Sequence, residues 1–241
     1  MGFIKKGSKL PSIFKGLFFV CRMDRLVPIK LFNFLGHIAD LSKWISIHKK
    51  KCKNDFYTKN FNHTKRVILY EQVINDCSLD TNIDYLEFGV SRGLSFKWWM
   101  NRIKNVDARF YGFDTFTGLP ESWGPFKKGD MGNDNAPPVI DDNRCKFYQG
   151  LFQQTLLPFL SNYDAGKRKV IHMDADIYSA TLYVLTLITP ILKPGDIIFF
   201  DEFNVPLHEF KAFKEWSSSF YIDYEVLGGV NNFYQIAIMI K

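Results

Sequence analysis

The stretch YLEFGVSRG, residues 85–93, has the pattern of a buried strand that turns directly into a helix. The apolar residues before Gly89 predict a strand over 83–89, and those after Gly93 predict a helix over 93–103. Glycines flank the turn, so a ligand could approach the backbone there, and the helix N-terminus favours a negative group. The same spacing also suits a tight turn that binds nothing.

Strand and helix patterns alternate on both sides of this stretch. They predict further strands over 108–114, 146–149, 169–173 and 196–200, and helices over 67–77, 152–160, 179–192 and 207–217. The last two strands, 221–227 and 232–240, are joined by a turn at Gly228-Gly229 without a helix. The sequence therefore predicts an α/β fold with a doubly wound, mostly parallel seven-stranded sheet. It is Rossmann-like, and its C-terminal antiparallel hairpin is typical of class I methyltransferases.

Charge is distributed unevenly along the 241 residues, whose formal net charge is +6. Residues 1–66 contain 15 Lys/Arg and 3 Asp/Glu, which gives +12, and residues 67–241 contain 16 and 22, which gives −6. We therefore predict a basic helical arm and linker over 1–66 and a globular domain over 67–241. The whole-chain charge is then no ground for expecting a nucleic-acid partner.

Apolar residues at three- and four-residue spacing predict helices in the arm over 11–47, with a break near Pro28. The arm has no nucleic-acid motif, and its amphipathic part suits an anionic membrane surface or a partner subunit equally well. The four cysteines lack metal or redox spacing, and no apolar run approaches the ~18 residues of a membrane span. These features predict a cytoplasmic protein.

Acids stand at the carboxyl ends of the first two predicted strands of the domain. Glu87 lies where a purely structural carboxylate would be poorly placed, so it could neutralise a cationic ligand. Asp114 ends strand 108–114, the usual position of an acid that binds ribose hydroxyls. A dinucleotide site would need a glycine where Ser91 stands. S-adenosylmethionine (SAM), with its sulfonium and ammonium charges, fits this pattern better.

Two further strands each end in a pair of acids. Asp174 and Asp176 follow strand 169–173, and Asp201 and Glu202 follow strand 196–200. These ends are neighbours in a doubly wound sheet, and such crowding is destabilising unless a cation or a proton is present. Oxygen ligands select a hard ion, so we predict Mg²⁺, with Mn²⁺ or Ca²⁺ as alternatives. Helix capping by one acid of each pair is the structural alternative.

The acids also predict a chemistry, methyl transfer to a hydroxyl. A divalent ion lowers the pKa of an alcohol, and a nearby carboxylate accepts its proton. We assign Asp174, Asp201 and Glu202 to the metal and Asp176 to the general base. His172 is the competing base, although its position before the end of the strand is more typical of a hydrogen-bonded core histidine.

These residues resemble those of the macrocin O-methyltransferase family, which are class I, SAM- and Mg²⁺-dependent sugar O-methyltransferases. The resemblance covers about residues 67–240. Its motifs are YLEFGVSRG, YGFDTFTGLPE at 111–121, YQGLFQQTLLP at 148–158, HMDADIYSAT at 172–181 and IIFFDEFN at 197–204.

The resemblance implies a role for each motif. Acids matching Asp174, Asp201 and Glu202 bind Mg²⁺ in that family, although its acid pair is commonly Asp-Asp, and the acid matching Asp176 is the base. Asp114 and the segment after Gly150 are expected to bind SAM. The complete set of predicted cofactor residues is Glu87, Gly89, Ser91, Gly93, Asp114, Thr115, Gly150 and Phe152. Family members often dimerise through N-terminal helices, which implies a homodimer.

We therefore expect a SAM-dependent enzyme that methylates a hydroxyl of a sugar, as a small molecule, a glycan or a nucleotide-linked precursor. The alternatives are a catechol-type metal-dependent O-methyltransferase and a non-catalytic protein that binds SAM. Residues 115–144 are rich in Gly, Pro and Asp without periodicity, and they are expected to cover the site. Trp123 and Phe126 in this loop could stack on a sugar or on an aromatic ring.

Overall fold

One eight-stranded sheet runs through the described residues, 9–79 and 81–241, of the computed structural model. Its strands are β1 (Lys53–Asn54), β2 (Ile83–Phe88), β3 (Arg109–Asp114), β4 (Cys145–Gln149), β5 (Arg168–Met173), β6 (Ile197–Phe200), β7 (Tyr224–Val230) and β8 (Gln235–Ile240). The helices are α1 (Lys9–Val20), α2 (Ile29–His48), α3 (Lys65–Cys77), α4 (Leu94–Arg102), α5 (Phe152–Leu160), α6 (Tyr178–Ile188) and α7 (Glu209–Ser219).

The strand order, β1-β7-β8-β6-β5-β2-β3-β4, confirms the predicted doubly wound fold. Strands β2 to β6 are parallel, and β2 lies between β5 and β3. All six side chains of β2 are buried, because helices cover both faces of the sheet. The chain order reverses between β2 and β5, and ligands bind at such a switch point outside the carboxyl ends of the strands.

The C-terminal hairpin is confirmed, but its turn is not at the predicted glycines. Strand β7 continues through Gly228-Gly229 and turns at 231–234. Asn231 and Asn232 have positive φ there, a conformation that asparagine tolerates well. The glycines are instead needed for packing: a Cβ on Gly229 would lie 2.6 Å from the ring of Phe233.

The arm forms α1 and α2, and the break predicted near Pro28 falls at the start of α2. The second half of α2 packs on the domain: Trp44 is 9% exposed, and its indole N–H donates to the Tyr224 hydroxyl at 3.0 Å. Strand β1 lies in the segment predicted as a polar linker and pairs in parallel with β7, which makes the sheet eight-stranded rather than seven-stranded. Two polar residues carry no periodicity that could have revealed it.

The predicted domain boundary at residue 66 does not coincide with a gap in contacts, since residues 41–66 make several contacts with the domain. The boundary therefore stays a prediction. Among the residues that the structure describes, no helix combines the length and hydropathy needed to cross a bilayer.

Candidate active site

A cavity of about 550 Å³ lies at the carboxyl ends of the parallel strands, beneath the loop 115–144. It brings together nine of the predicted site residues: Gly89, Ser91, Asp114, Thr115, Phe152, Asp174, Asp176, Asp201 and Glu202. Four others do not line it, namely Glu87, Gly93, Gly150 and His172. Strand alternation explains part of this division, because successive side chains point to opposite faces of the sheet.

Gly89 lies where the turn after β2 meets the turn after β5 in the cavity wall. Its φ is +97°, and a Cβ at this position would lie 1.7 Å from the carbonyl oxygen of Asp174. The Asp174 N–H in turn donates to the Phe88 carbonyl at 2.9 Å. The turn after β2 and the turn after β5 are therefore in direct backbone contact, and only glycine can occupy the contact point.

Asp114 organises the turn after β2. Its Oδ2 accepts the N–H groups of Val90 at 2.8 Å and Ser91 at 2.7 Å, and its Oδ1 accepts the N–H of Phe116 at 2.7 Å. These bonds fix the carboxylate on the cavity wall while leaving it acceptor capacity. The geometry is compatible with the predicted binding of ribose hydroxyls.

The loop 115–144 covers the cavity, as predicted. Backbone hydrogen bonds cross it between Leu119 and both Gly129 and Asp130, so the cover has a defined shape. Trp123 and Phe126 line the cavity, and their rings stack with centroids 5.4 Å apart and an interplanar angle of 10°. This pair presents an aromatic wall to whatever occupies the space beneath the loop.

The acids after β5 and β6 converge on the opposite wall. Single oxygen atoms of Asp174, Asp176 and Glu202 lie within 4.8 Å of one another, and His172, Asp174 and Asp201 form a second such group. One buried oxygen on each of Asp201 and Glu202 has no hydrogen-bond partner. An unpartnered buried carboxylate oxygen is costly, so this arrangement calls for a cation.

The electrostatics of the cluster point the same way. Burial and the charges of neighbouring carboxylates raise the pKa of Asp174 and Glu202 well above the ordinary range, and raise that of Asp176 to about 7. Burial opposes ionisation of Asp201 too, but His172 and Arg66 outweigh it and lower the pKa. The group of Asp174, Asp176 and Glu202 consists of oxygens alone and fits a hard divalent ion, whereas the predicted ligand Asp201 groups with Asp174 and His172 instead.

Neither Asp176 nor Asp201 caps a helix in the described structure. Helix α6 begins after Ile177 without a side-chain cap, and α7 begins only at Glu209. Asp176 instead has a φ of +58°, an uncommon conformation for a residue without a functional or turn role. The structural alternative for these acids therefore finds no support.

Glu87 and His172 lie in a buried network beneath the cavity. The ring nitrogens of His172 are each 3.1 Å from a tyrosine hydroxyl, of Tyr70 and Tyr85, and Ser95 donates to Glu87 at 2.6 Å. Burial alone would lower the pKa of His172, but the nearby carboxylates raise it to about 10. This placement favours the core-histidine interpretation, and Glu87 could act on a cationic ligand only from beneath the wall.

Gly93 and Gly150 do not line the cavity, but they lie in turns next to residues that do. Gly93, with φ +72°, precedes α4, and the N–H of Gly150 donates to the Asp114 carbonyl at 2.9 Å. Both glycines fix turns that carry lining residues.

Four further candidate residues lie outside the predicted motifs. Glu209, on α7, is fully buried; its Oε2 accepts the Glu202 N–H at 2.9 Å, and its other oxygen has no partner. As an acid in the first turn of a helix, it looks like an ordinary surface residue in the sequence. The other three that line the cavity are Arg66, His63 and Tyr234, which come from segments without a recognisable motif. A guanidinium nitrogen of Arg66 lies 3.4 Å from Oδ2 of Asp201.

The parallel sheet, its terminal hairpin and the cavity at the switch point define the class I SAM-dependent methyltransferase fold. Residues 86–203, from β2 to just beyond the acid pair after β6, match the protein family described as a methyltransferase domain. This match and the fold make the chain an enzyme of the SAM-dependent methyltransferase class.

Solved structures show the same fold at low sequence identity. The calicheamicin methyltransferase CalS11 is 22% identical with a TM-score of 0.55, over 73% of this chain and 77% of that chain. Its apo form, described as a TDP-rhamnose 3′-O-methyltransferase, is 18% identical with a TM-score of 0.52, over 85% and 93%. The O-methyltransferase NovP is 21% identical with a TM-score of 0.51, over 73% and 78%. No curated protein sequence matches this one significantly.

The raised pKa of Asp176 predicts a pH-dependent stability in the absence of metal. The pKa is about 7 in the folded protein, against about 3.9 in an unfolded chain. The contribution of Asp176 to stability should therefore be fully present below about pH 4 and be lost as the pH rises through 7. We expect the melting temperature, measured in EDTA, to fall less between pH 5 and pH 8 for Asp176→Asn than for the wild type. Each kcal/mol lost from the free energy of unfolding should lower the melting temperature by about 2–4 °C. Identical slopes would contradict the raised pKa.

Proposed function

We propose that this protein transfers the methyl group of SAM to a hydroxyl of a sugar, with the help of a divalent metal ion and a carboxylate base. One observation carries the proposal. Carboxylates with unpartnered buried oxygens face the same cavity as the glycine turn after β2 and the Asp114 carboxylate. The proposed cofactor and cation sites are thus adjacent, an arrangement that suits metal-assisted methyl transfer to a weakly acidic hydroxyl.

Asp174, Asp201 and Glu202 would hold the metal. A bound divalent ion lowers the pKa of an alcohol that it contacts. Asp176 is placed to accept the proton, because its carboxylate lines the cavity beside those of Asp174 and Glu202. Glu209 supports the geometry by fixing the backbone of Glu202.

Gly89 and Ser91 would let SAM approach the turn after β2, and Asp114 would bind its ribose hydroxyls. Thr115 and Phe152 line the same part of the cavity. Holding the methyl donor and the acceptor oxygen in line supplies much of the rate of such a transfer. The close backbone contact between Gly89 and Asp174 fixes the two halves of the site relative to each other.

A sugar acceptor is favoured over a catechol by the resemblance to the macrocin O-methyltransferase family, and CalS11 and NovP share the fold. The stacked pair Trp123 and Phe126 offers an apolar wall, and Glu121, which also lines the cavity, offers an acceptor for sugar hydroxyls.

The homodimer, the cytoplasmic location and the absence of a nucleic-acid partner stay predictions.

A methyl-transfer screen tests the proposal. Labelled SAM is incubated with the protein and with nucleotide sugars, glycans and catechols, with Mg²⁺ or with EDTA. We expect transfer to a sugar hydroxyl that depends on the metal. Transfer to catechols alone would favour the catechol-type alternative. Full activity in EDTA, in protein shown to be metal-free, would exclude the metal from the mechanism.

A further inference from the structure

The first half of the arm exposes apolar side chains over both of its helices. Between residues 13 and 38 the exposed large apolar side chains are Ile13, Phe14, Leu17, Phe19, Val20, Met23, Leu26, Ile29, Leu31, Phe32, Phe34, Leu35 and Ile38. Val20 and Leu26 are 82% and 81% exposed. Exposed apolar side chains in such number indicate an interaction site.

Four of the five exposed large apolar residues of α1 lie on one side. At about 100° per residue, Ile13, Phe14, Leu17 and Val20 fall within one half of the helix circumference, and Lys15 and the fifth, Phe19, fall opposite. A helix with a wide apolar side and a basic residue on the other has the form of a helix that lies in a membrane interface. Over its described residues, Lys9–Val20, α1 is far shorter than the ~20 residues that a span requires.

The charge of this segment favours an anionic partner. The sequence from 9 to 38 contains five basic residues, Lys9, Lys15, Arg22, Arg25 and Lys30, and one acid, Asp24. Asp24 is paired with Arg22 at 2.9 Å, on the surface. Basic groups beside exposed apolar side chains match an anionic lipid surface, whereas two copies of the same segment would bring like charges together.

The arm is also joined to the domain near the acid cluster. Trp44, near the end of α2, lies with its ring centroid 4.7 Å from that of Phe203, the residue after Glu202. Leu41 is buried one turn earlier. Helix α2 would therefore link any partner that residues 13–38 bind to the domain, because its second half packs beside the active-site end of β6.

We propose that residues 13–38 bind the surface of an anionic membrane, with the apolar side of α1 buried among the lipid headgroups. The attachment is peripheral, and it is separate from the catalytic proposal because it involves no residue of the cavity. It would bring the methyltransferase domain to acceptors that are presented at a membrane.

Co-sedimentation of the full chain with vesicles tests this inference. Vesicles of phosphatidylcholine alone are compared with vesicles that also contain phosphatidylglycerol, at low and at high salt. We expect binding to the anionic vesicles that weakens with salt, because the basic groups contribute electrostatically. Val20→Asp should lower the partition coefficient by about tenfold or more, because the apolar side chain would no longer enter the interface.

Val106→Asp is the matched control, because Val106 is also 82% exposed but lies outside the arm. It should leave vesicle binding unchanged, and both variants should keep the melting temperature of the wild type. No binding to anionic vesicles, or equal binding by the wild type and Val20→Asp, would overturn the proposal. So would an oligomer that Val20→Asp dissociates without any vesicle binding, because a second copy would then cover this surface. None of these readouts depends on methyl transfer, so failure here is distinguishable from failure of the proposed function.

Discussion

Asp174→Asn and Asp201→Asn should each lower kcat/KM by about 10³-fold or more while the protein stays folded and still binds SAM. The physical reason is the loss of a charged ligand from the acid cluster, which weakens the hold on a divalent ion that supplies several kcal/mol of stabilisation. SAM binding should survive, because the predicted cofactor residues lie mainly on the turns after β2, β3 and β4. Each amide variant keeps the size of the side chain that it replaces.

Three measurements together decide this prediction: initial rates, SAM affinity by calorimetry, and Mn²⁺ affinity by electron paramagnetic resonance. Asp76→Asn is the control, since Asp76 is an exposed acid paired with Lys53 at 3.0 Å. It removes the same charge without touching the cavity, and it should change none of the three. Wild-type Mn²⁺ affinity in both cluster variants would show that these acids do not bind the metal.

Gly89→Ala should prevent folding or lower the free energy of unfolding by more than about 4 kcal/mol. Losses of this size occur only with severe steric or polar defects. The new Cβ would lie 1.7 Å from the Asp174 carbonyl oxygen, so the turns after β2 and β5 would have to separate. Both turns carry site residues, so any protein that does fold should lose SAM affinity and turnover together. Denaturant unfolding and SAM binding measure the two effects.

Gly129→Ala separates steric overlap from backbone strain. Gly129 has a φ of +92°, close to the +97° of Gly89, but a Cβ there would meet no atom within 4 Å. Its substitution should cost only the ordinary penalty of about 1–2 kcal/mol for a side chain at positive φ. If the two variants lost equal stability, the contact between Gly89 and Asp174 would not be the decisive interaction.

The alternating pattern was sufficient to predict the parallel sheet and the acids at its edge. A buried strand followed by an acid appears directly in the sequence at Asp174 and Asp201, and the topology then requires these ends to be neighbours. Glu87 shows the limit of this reasoning. Its place near the end of β2 was evident, but the direction of its side chain, toward Ser95 and Tyr85, depends on the register of the whole sheet.

Contacts between distant segments could not be predicted. Glu209 reaches Glu202 because α7 packs against the turn after β6, and β1 exists only because β7 provides a partner for two polar residues. The turn at 231–234 is fixed in part by Asn231, whose amide donates to the Asn62 carbonyl at 3.0 Å, 169 residues away in the chain. None of these pairings produces a local periodicity.

The position of β8 has a consequence for how the protein is made. The ribosome synthesises β8 after the seven other strands of the described sheet, yet β8 lies between β6 and β7. Until it emerges, β6 has an open hydrogen-bonding edge, and the β1–β7 pair has no strand to join it to the parallel core. The nascent chain therefore carries an exposed edge beside its acidic turns from the completion of β6 at Phe200 until β8 begins at Gln235, a period in which such edges invite association with other chains.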